Sequence, residues 1–283
     1  MNFTKMHGTG NDFLVIDARA FQRVDWARLA VALCDRHFGV GGDGIILVLD
    51  SQSADYRMRM FNPDGSEAEM CGNGIRCFGR YLYERGLTEK TRLSVETGAG
   101  VLELKLLVES QRVVSVTVSM GEPRLAADAI PVTLQGERVV DFPLEVAERS
   151  LKLTLVSMGN PHAVAFVDDV QSFPLTEIGP LVERHPLFPR RTNFEIVRVV
   201  SEDELEVRVW ERGAGTTLAC GTGACASVVA AKLKGLVDDV VHVNLPGGAL
   251  SIRWPGSGPV VLTGPAEFVF EGRWLREVPR LEG

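Results

Sequence analysis

Two cysteines sit in near-identical glycine frames, Met70-Cys71-Gly72-Asn73-Gly74 and Ala219-Cys220-Gly221-Thr222-Gly223, 149 residues apart. A cysteine just ahead of a helix feels the positive end of the helix dipole and the first-turn N–H groups, which favour thiolate over thiol. The same N–H groups bind anions, and flanking glycines let a carboxylate approach the backbone closely. Two such sites, one supplying a thiolate and the other a thiol, can reach opposite faces of one α-carbon and invert it. An α-hydrogen beside a carboxylate is very weakly acidic. Removing it takes a close base, concentrated positive potential and a dry site; inversion then takes an acid on the other face. The two thiols titrate as a coupled pair and exchange roles in the reverse direction.

The other three cysteines, Cys34, Cys77 and Cys225, read as small buried hydrophobes. Zinc-type Cys-x-x-Cys spacing is missing, so no metal is expected. No G-x-G-x-x-G follows a strand, so dinucleotide binding is unsupported and no cofactor is expected. With 283 residues, 45% hydrophobic and 24% charged, the chain has apolar material for two cores. A net charge of −7 argues against nucleic acid as a partner. No run of about 18 apolar residues suggests a membrane span, and Met1–Gly8 has no signal-like apolar segment. A cytoplasmic protein is the expectation.

The elements that must present the cysteines repeat. An offset of 149 carries Asn11 to Asn160, Gly44 to Asn193, and Tyr56–Asn62 to Leu205–Glu211. The last two stretches alternate apolar and polar residues at period 2 and read as strands running into loops. Helical spacing follows each frame, over Ile75–Tyr83 and Ala224–Leu233, and ends before Gly86 and Gly235, both suited to a C′ position. A repeat this long is a duplicated domain. The expected fold is α+β: two pseudo-symmetric domains, each a mixed sheet wrapped barrel-like around a central helix, with the active site in the cleft between them. The first lobe spans residues 1–121, with 266–283 returning to it, and the second spans 122–265. The boundary falls at Gly121-Glu122-Pro123.

Met6–Phe13, Phe61–Ser66, Cys71–Cys77, Gly159-Asn160-Pro161-His162 and Glu211–Gly215 with Ala219–Gly223 together resemble the diaminopimelate epimerase family over nearly the whole chain. The resemblance implies a cofactor-independent isomerase, usually a homodimer. It would interconvert LL- and meso-2,6-diaminoheptanedioate, a small diamino diacid used in lysine and cell-wall synthesis. It implies Cys71 and Cys220 as the acid–base pair. Gly72, Asn73, Gly221 and Thr222 would present N–H groups to the reacting carboxylate. Glu211 would hold the ammonium group and, with His162, help set thiol protonation. Asn62, Asn160, Asn193 and Arg212 would read the distal end, and Asn11 would line the pocket. A guanidinium fork such as that of Arg212 suits a second carboxylate.

The chain departs from the family pattern at Gly44, where many members carry glutamine, and at Phe270, in place of a dimer-contact tyrosine. Thr216 replaces a common glutamate, which is expected to loosen the loop before Cys220. Two alternatives stand beside this reading. A proline or hydroxyproline racemase shares the paired-cysteine logic but resembles Met-Cys-Gly-His-Gly where this chain has Asn73. A thiol redox or binding protein would keep the pocket without turnover.

Overall fold

The computed structural model describes residues 1–281. The chain forms two compact units, one of residues 1–118 with the chain from Gly264 onward, the other Ser119–Thr263. The break thus falls at Val118, slightly before the expected Gly121. Backbone bonds of Met120 and Gly121 to Val260 tie this segment to the second unit.

In the first unit the order is β1 (Asn2–Gly8), β2 (Asn11–Asp17), α1 (Trp26–Cys34), β3 (Gly44–Leu49), β4 (Tyr56–Phe61), β5 (Glu67–Ala68), α2 (Gly72–Glu84), β6 (Arg92–Thr97), β7 (Gly100–Glu109) and β8 (Arg112–Ser119). The second unit continues with β9 (Phe142–Val146), β10 (Arg149–Ser157), β11 (Pro161–Phe166), α3 (Leu175–Glu183), β12 (Asn193–Ser201), β13 (Glu204–Glu211), β14 (Gly215–Thr217), α4 (Gly221–Leu233), β15 (Val240–Leu245), β16 (Gly248–Arg253) and β17 (Val261–Gly264). The last strand, β18 (Glu267–Arg273), returns to pair with β1.

The 149-residue repeat holds at the level of register. β2 and β3 are parallel with Phe13 opposite Gly44, and β11 and β12 are parallel with His162 opposite Asn193. β3 and β4 place Ile45 opposite Phe61, as β12 and β13 place Phe194 opposite Trp210. The helices α2 and α4 begin and end at equivalent residues.

Both faces of these strands are covered, so they read as apolar runs rather than alternating ones. Side chains still alternate by face. In the first unit Leu14, Ile16, Ile45 and Leu47 join the apolar cluster with Leu29 and Leu33 of α1. In the second, Ala163, Ala165, Phe194 and Ile196 join Leu175, Ile178 and Val182 of α3. The intervening residues, Phe13 and Ile46 or His162 and Glu195, therefore face the other way, towards α2 or α4. α2 packs against β1, β2, β3, β4 and β7, and α4 against β10, β11, β12, β13, β15 and β16. Small side chains along α4, from Gly223 to Ala231, are buried all round, as a central helix requires.

Each central helix ends in the same way. The N–H of Gly86 bonds to Tyr83 O and that of Leu87 to Leu82 O; Gly235 and Leu236 bond to Lys232 O and Ala231 O. This double closure needs a left-handed residue, and the glycines adopt φ of 67° and 68°. No atom lies within 4 Å of a Cβ added at either. Gly86→Ala and Gly235→Ala are therefore expected to cost similar amounts, about 1–2 kcal/mol of backbone strain each. Chemical denaturation should show both losses, and a neutral result at either would contradict this account of the caps.

Candidate active site

In the first unit Cys71 is the N-cap of α2, with extended backbone (φ −141°, ψ 120°). Its Sγ accepts from the Gly74 N–H at 3.4 Å. The first-turn N–H groups of Gly72 and Asn73 lie ahead of the helical ladder, where an anion can accept from them. The Cys71 Sγ–H donates to Asn11 Oδ1 at 3.7 Å, and Asn73 Nδ2 donates to the same oxygen at 3.2 Å. Asn11 is turned this way because its own Nδ2 donates to Asp43 Oδ2 at 2.7 Å. Arg76, fully buried, donates to Gly72 O, Asn73 Oδ1, Pro265 O and Thr9 Oγ1, and so braces the first turn of α2.

In the second unit Cys220 caps α4 in the same conformation, its Sγ accepting from the Gly223 N–H at 3.3 Å. Thr222 Oγ1 lies 3.4 Å from the sulfur and accepts from Asn160 Nδ2 at 3.2 Å. Asn160 Oδ1 lies 3.0 Å from His162 Nε2, and His162 Nδ1 lies 2.7 Å from Glu195 Oε1. Both side chains of that last pair are fully buried. The Glu211 carboxylate accepts from Thr217 Oγ1 at 2.5 Å and lies within hydrogen-bonding reach of the Cys220 thiol. Burial pushes the Glu211 carboxyl up. Burial, reinforced by the charges of Glu211 and Glu195, pushes the Cys220 thiol well above the ordinary thiol range.

The hydrogen bonds of the remaining expected residues run to partners other than the two sulfurs. Asn62 bonds within its own turn, Nδ2 to Ser66 Oγ and N–H to Ser66 O. The Asn193 amide is engaged by backbone at both ends: Nδ2 donates to Pro161 O at 2.8 Å, and Oδ1 accepts from the Arg212 N–H at 2.9 Å. It thereby fixes where Arg212, itself exposed, leaves β13. A Cβ at Gly44 would come within 2.8 Å of Phe61 O, so a larger residue there requires a different β4 path. The segment holding Thr216 is not a loosened loop. It forms β14, with Thr216 opposite Trp210 and the neighbouring Thr217 bonded to Glu211. Cys34, Cys77 and Cys225 are buried, and burial pushes the first two thiols up to about 12. Among the described residues no group of three or more His, Cys, Asp or Glu is placed to hold a metal ion, and no helix is long and apolar enough to cross a membrane.

Three residues central to these clusters escaped the sequence reading: Asp43, Arg76 and Glu195. For Glu195 a signal existed, since its equivalent in the first unit is Ile46, just as that of His162 is Phe13. Burying a large apolar side chain contributes about 1.5–3 kcal/mol, whereas a buried ionisable pair is often neutral or costs about 1–4 kcal/mol against apolar replacements. The second unit therefore does not carry His162 and Glu195 for stability. Glu195 Oε2 is moreover buried with no hydrogen-bond partner.

The profile described as diaminopimelate epimerase matches residues 3–126 and 154–269. A diaminopimelate epimerase of Pelotomaculum thermopropionicum is 54% identical over 276 residues, covering 97% of this chain and 99% of that protein. One of Moorella thermoacetica is 54% identical over 275 residues, covering 96% and 98%. Two solved structures share the fold at low identity. A phenazine biosynthesis protein of Bacillus anthracis has a TM-score of 0.73 at 20% identity, covering 98% of this chain and 99% of that one. A hydroxyproline epimerase of Agrobacterium vitis has a TM-score of 0.73 at 16% identity, covering 96% and 91%. Duplicated folding units, cysteine-capped central helices and half-identical relatives over almost the full length lead to one assignment: the chain belongs to the diaminopimelate epimerase family of isomerases.

Proposed function

We propose that the chain epimerises LL-2,6-diaminoheptanedioate to the meso form without a cofactor, with Cys71 and Cys220 as the acid–base pair. The observation that carries this reading is the matched pair of sulfur-capped helix N-termini, in a chain about half identical to named epimerases of this substrate. One thiolate takes the α-proton, and the electron pair is held by the carboxylate against helix N-terminal N–H groups. The other thiol delivers a proton to the opposite face. The two sulfurs thus exchange protonation states, and solvent exchange restores the starting state.

The Gly72–Asn73 and Gly221–Thr222 N–H groups serve the reacting carboxylate, where a preorganised dipole stabilises developing charge. Glu211 holds the ammonium group. Asn62, Asn160, Asn193 and Arg212 serve the distal amino acid end, with Asn193 acting through the position it gives Arg212. Asn11 lines the pocket beside Cys71. The proline-type alternative rests on the paired-cysteine logic and on a shared fold at 16% identity. We further read the enzyme as a cytoplasmic homodimer. The exposed apolar Val269 and Phe270 of β18 support the self-association, which a solution mass of twice 30.9 kDa would register.

Incubation with LL-diaminopimelate in D₂O under reducing conditions should yield the meso isomer with deuterium at the inverted carbon. Cys71→Ala and Cys220→Ala should each abolish inversion. Absence of both product and deuterium in the unaltered protein would sink the reading, and turnover of proline instead would favour the alternative. A second experiment addresses the charge beside Cys220. Because the Glu211 carboxylate opposes thiolate formation, Glu211→Gln in a Cys71→Ala background should move Cys220 alkylation by iodoacetamide to lower pH. An unchanged or upward-shifted midpoint would refute that assignment.

A further inference from the structure

The second unit contains a polar chain with a fixed direction. Asn160 Nδ2 donates to Thr222 Oγ1, so the other end of that amide, Oδ1, must accept, and the only hydrogen available from His162 Nε2 at 3.0 Å is its own. His162 therefore carries a proton on Nε2. Its Nδ1 faces Glu195 Oε1 at 2.7 Å, so the buried pair shares one further proton, whether as imidazolium and carboxylate or as imidazole and carboxylic acid. Thr222, accepting from Asn160, has its own hydroxyl hydrogen free to point at Cys220 Sγ, 3.4 Å away. The result is an ordered series, Glu195–His162–Asn160–Thr222–Cys220, that ends in a donor to the sulfur.

The first unit provides the internal contrast. There Phe13 and Ile46 occupy the places of His162 and Glu195, and the equivalent amide, Asn11, is turned the other way by Asp43 so that its oxygen meets Cys71. What sets the amide in the second unit is His162, and what anchors His162 is Glu195. The fit around Glu195 is close: a Cβ at Gly223 would lie 2.8 Å from Glu195 Oε1. The carboxylate thus sits directly beneath the turn that carries Cys220.

We propose that Glu195 is a positioning residue for the reaction at Cys220, acting through His162 to keep a hydrogen-bond donor directed at the sulfur whenever the thiolate forms. The inference rests on the epimerase reading of this site. Its role is orientation and proton inventory rather than contact with substrate. Among the described residues the charges that act on this sulfur include Glu211 and Glu195, and His162 faces Glu211 as well as Glu195; only Glu195 and His162 belong to the series. Loss of Glu195 frees His162 to present a lone pair at Nε2. That choice reverses Asn160 and turns the Thr222 hydroxyl away from the sulfur.

The test compares Glu195→Gln, Glu195→Ile, His162→Phe and the double variant His162→Phe/Glu195→Ile, which rebuilds the apolar layer of the first unit. Each is assayed for turnover in both directions, and for Cys220 alkylation in a Cys71→Ala background, with melting temperature as the control. Glu195→Gln should fold normally and lose at least 10-fold in kcat with KM changed less than threefold. The double variant should be no slower than His162→Phe alone, because the donor directed at the sulfur depends on Glu195 only through that ring. The pH dependence of Cys220 alkylation should change in Glu195→Gln, and the double variant should alkylate at lower pH than His162→Phe because it also lacks the Glu195 charge. Losses that multiply in the double variant, or wild-type kcat in Glu195→Gln, would overturn the assignment. If Glu195→Ile fails to fold, the Gln and double variants still decide the question. Inactivity of the unaltered protein on LL-diaminopimelate would instead overturn the epimerase reading itself.

Discussion

Everything in the two candidate sites depends on a sulfur atom serving as a helix N-cap. Serine, threonine, aspartate or asparagine ordinarily fills that role with oxygen. Here Cys71 and Cys220 accept from the third-residue N–H instead, at 3.4 and 3.3 Å. The cap fixes each sulfur at the positive end of a buried helix and leaves the two preceding N–H groups directed at the same space. Glycine stands at the bonded position in both frames, where an added Cβ would crowd its neighbours. A Cβ at Gly74 would meet Ile46 at 3.1 Å, and one at Gly223 would meet Glu195 at 2.8 Å and the cysteine sulfur at 3.3 Å. The frame around each cysteine is thus a packing requirement as much as a chemical one.

On this common framework the halves diverge. Beneath Cys71 lie Phe13 and Ile46, while a buried Arg76 braces the helix start. Beneath Cys220 lie His162 and Glu195, with Glu211 where the first unit has Asn62, and Cys225 where it has Arg76. One site is built from an apolar layer and a buried cation, the other from a polar series and two carboxylates. Duplication supplied equal scaffolds, and substitutions at a handful of inward-facing positions made the two thiols chemically distinct. On the proposed two-thiol reading one group releases a proton while the other takes one, and that distinction has a direct use.

Much of this was legible in the sequence. The shared offset located both cysteine frames, and Gly86 and Gly235 marked where the central helices end. Their starts were less visible. Helical spacing was evident only from Ile75 and Ala224, whereas α2 and α4 begin three residues earlier, because glycine's low helix propensity masks the first turn. Glu195 was hidden for a different reason. A single charged residue in an apolar strand is ordinarily assigned to a solvent face, but helices cover both faces of β12, and only pairing with His162 makes its burial intelligible. Asn193 read as a polar group available to a ligand; its amide also holds Pro161 and Arg212 in place, a role set by strand register that no local pattern encodes.

The returning strand β18 has a consequence for how the molecule is made. In the second unit β10 pairs with β9 through a two-residue turn at Ala147 and Glu148, whose positive φ angles suit a tight hairpin. In the first unit the equivalent neighbour of β1 is β18, supplied from the far end of the sequence. Pairing nearly the first residues with nearly the last raises contact order and delays closure of that edge. During synthesis the second unit has all its strands before the first has its last one. The half of the protein that is translated first is therefore the half that is completed last, and until then β1 presents an open edge.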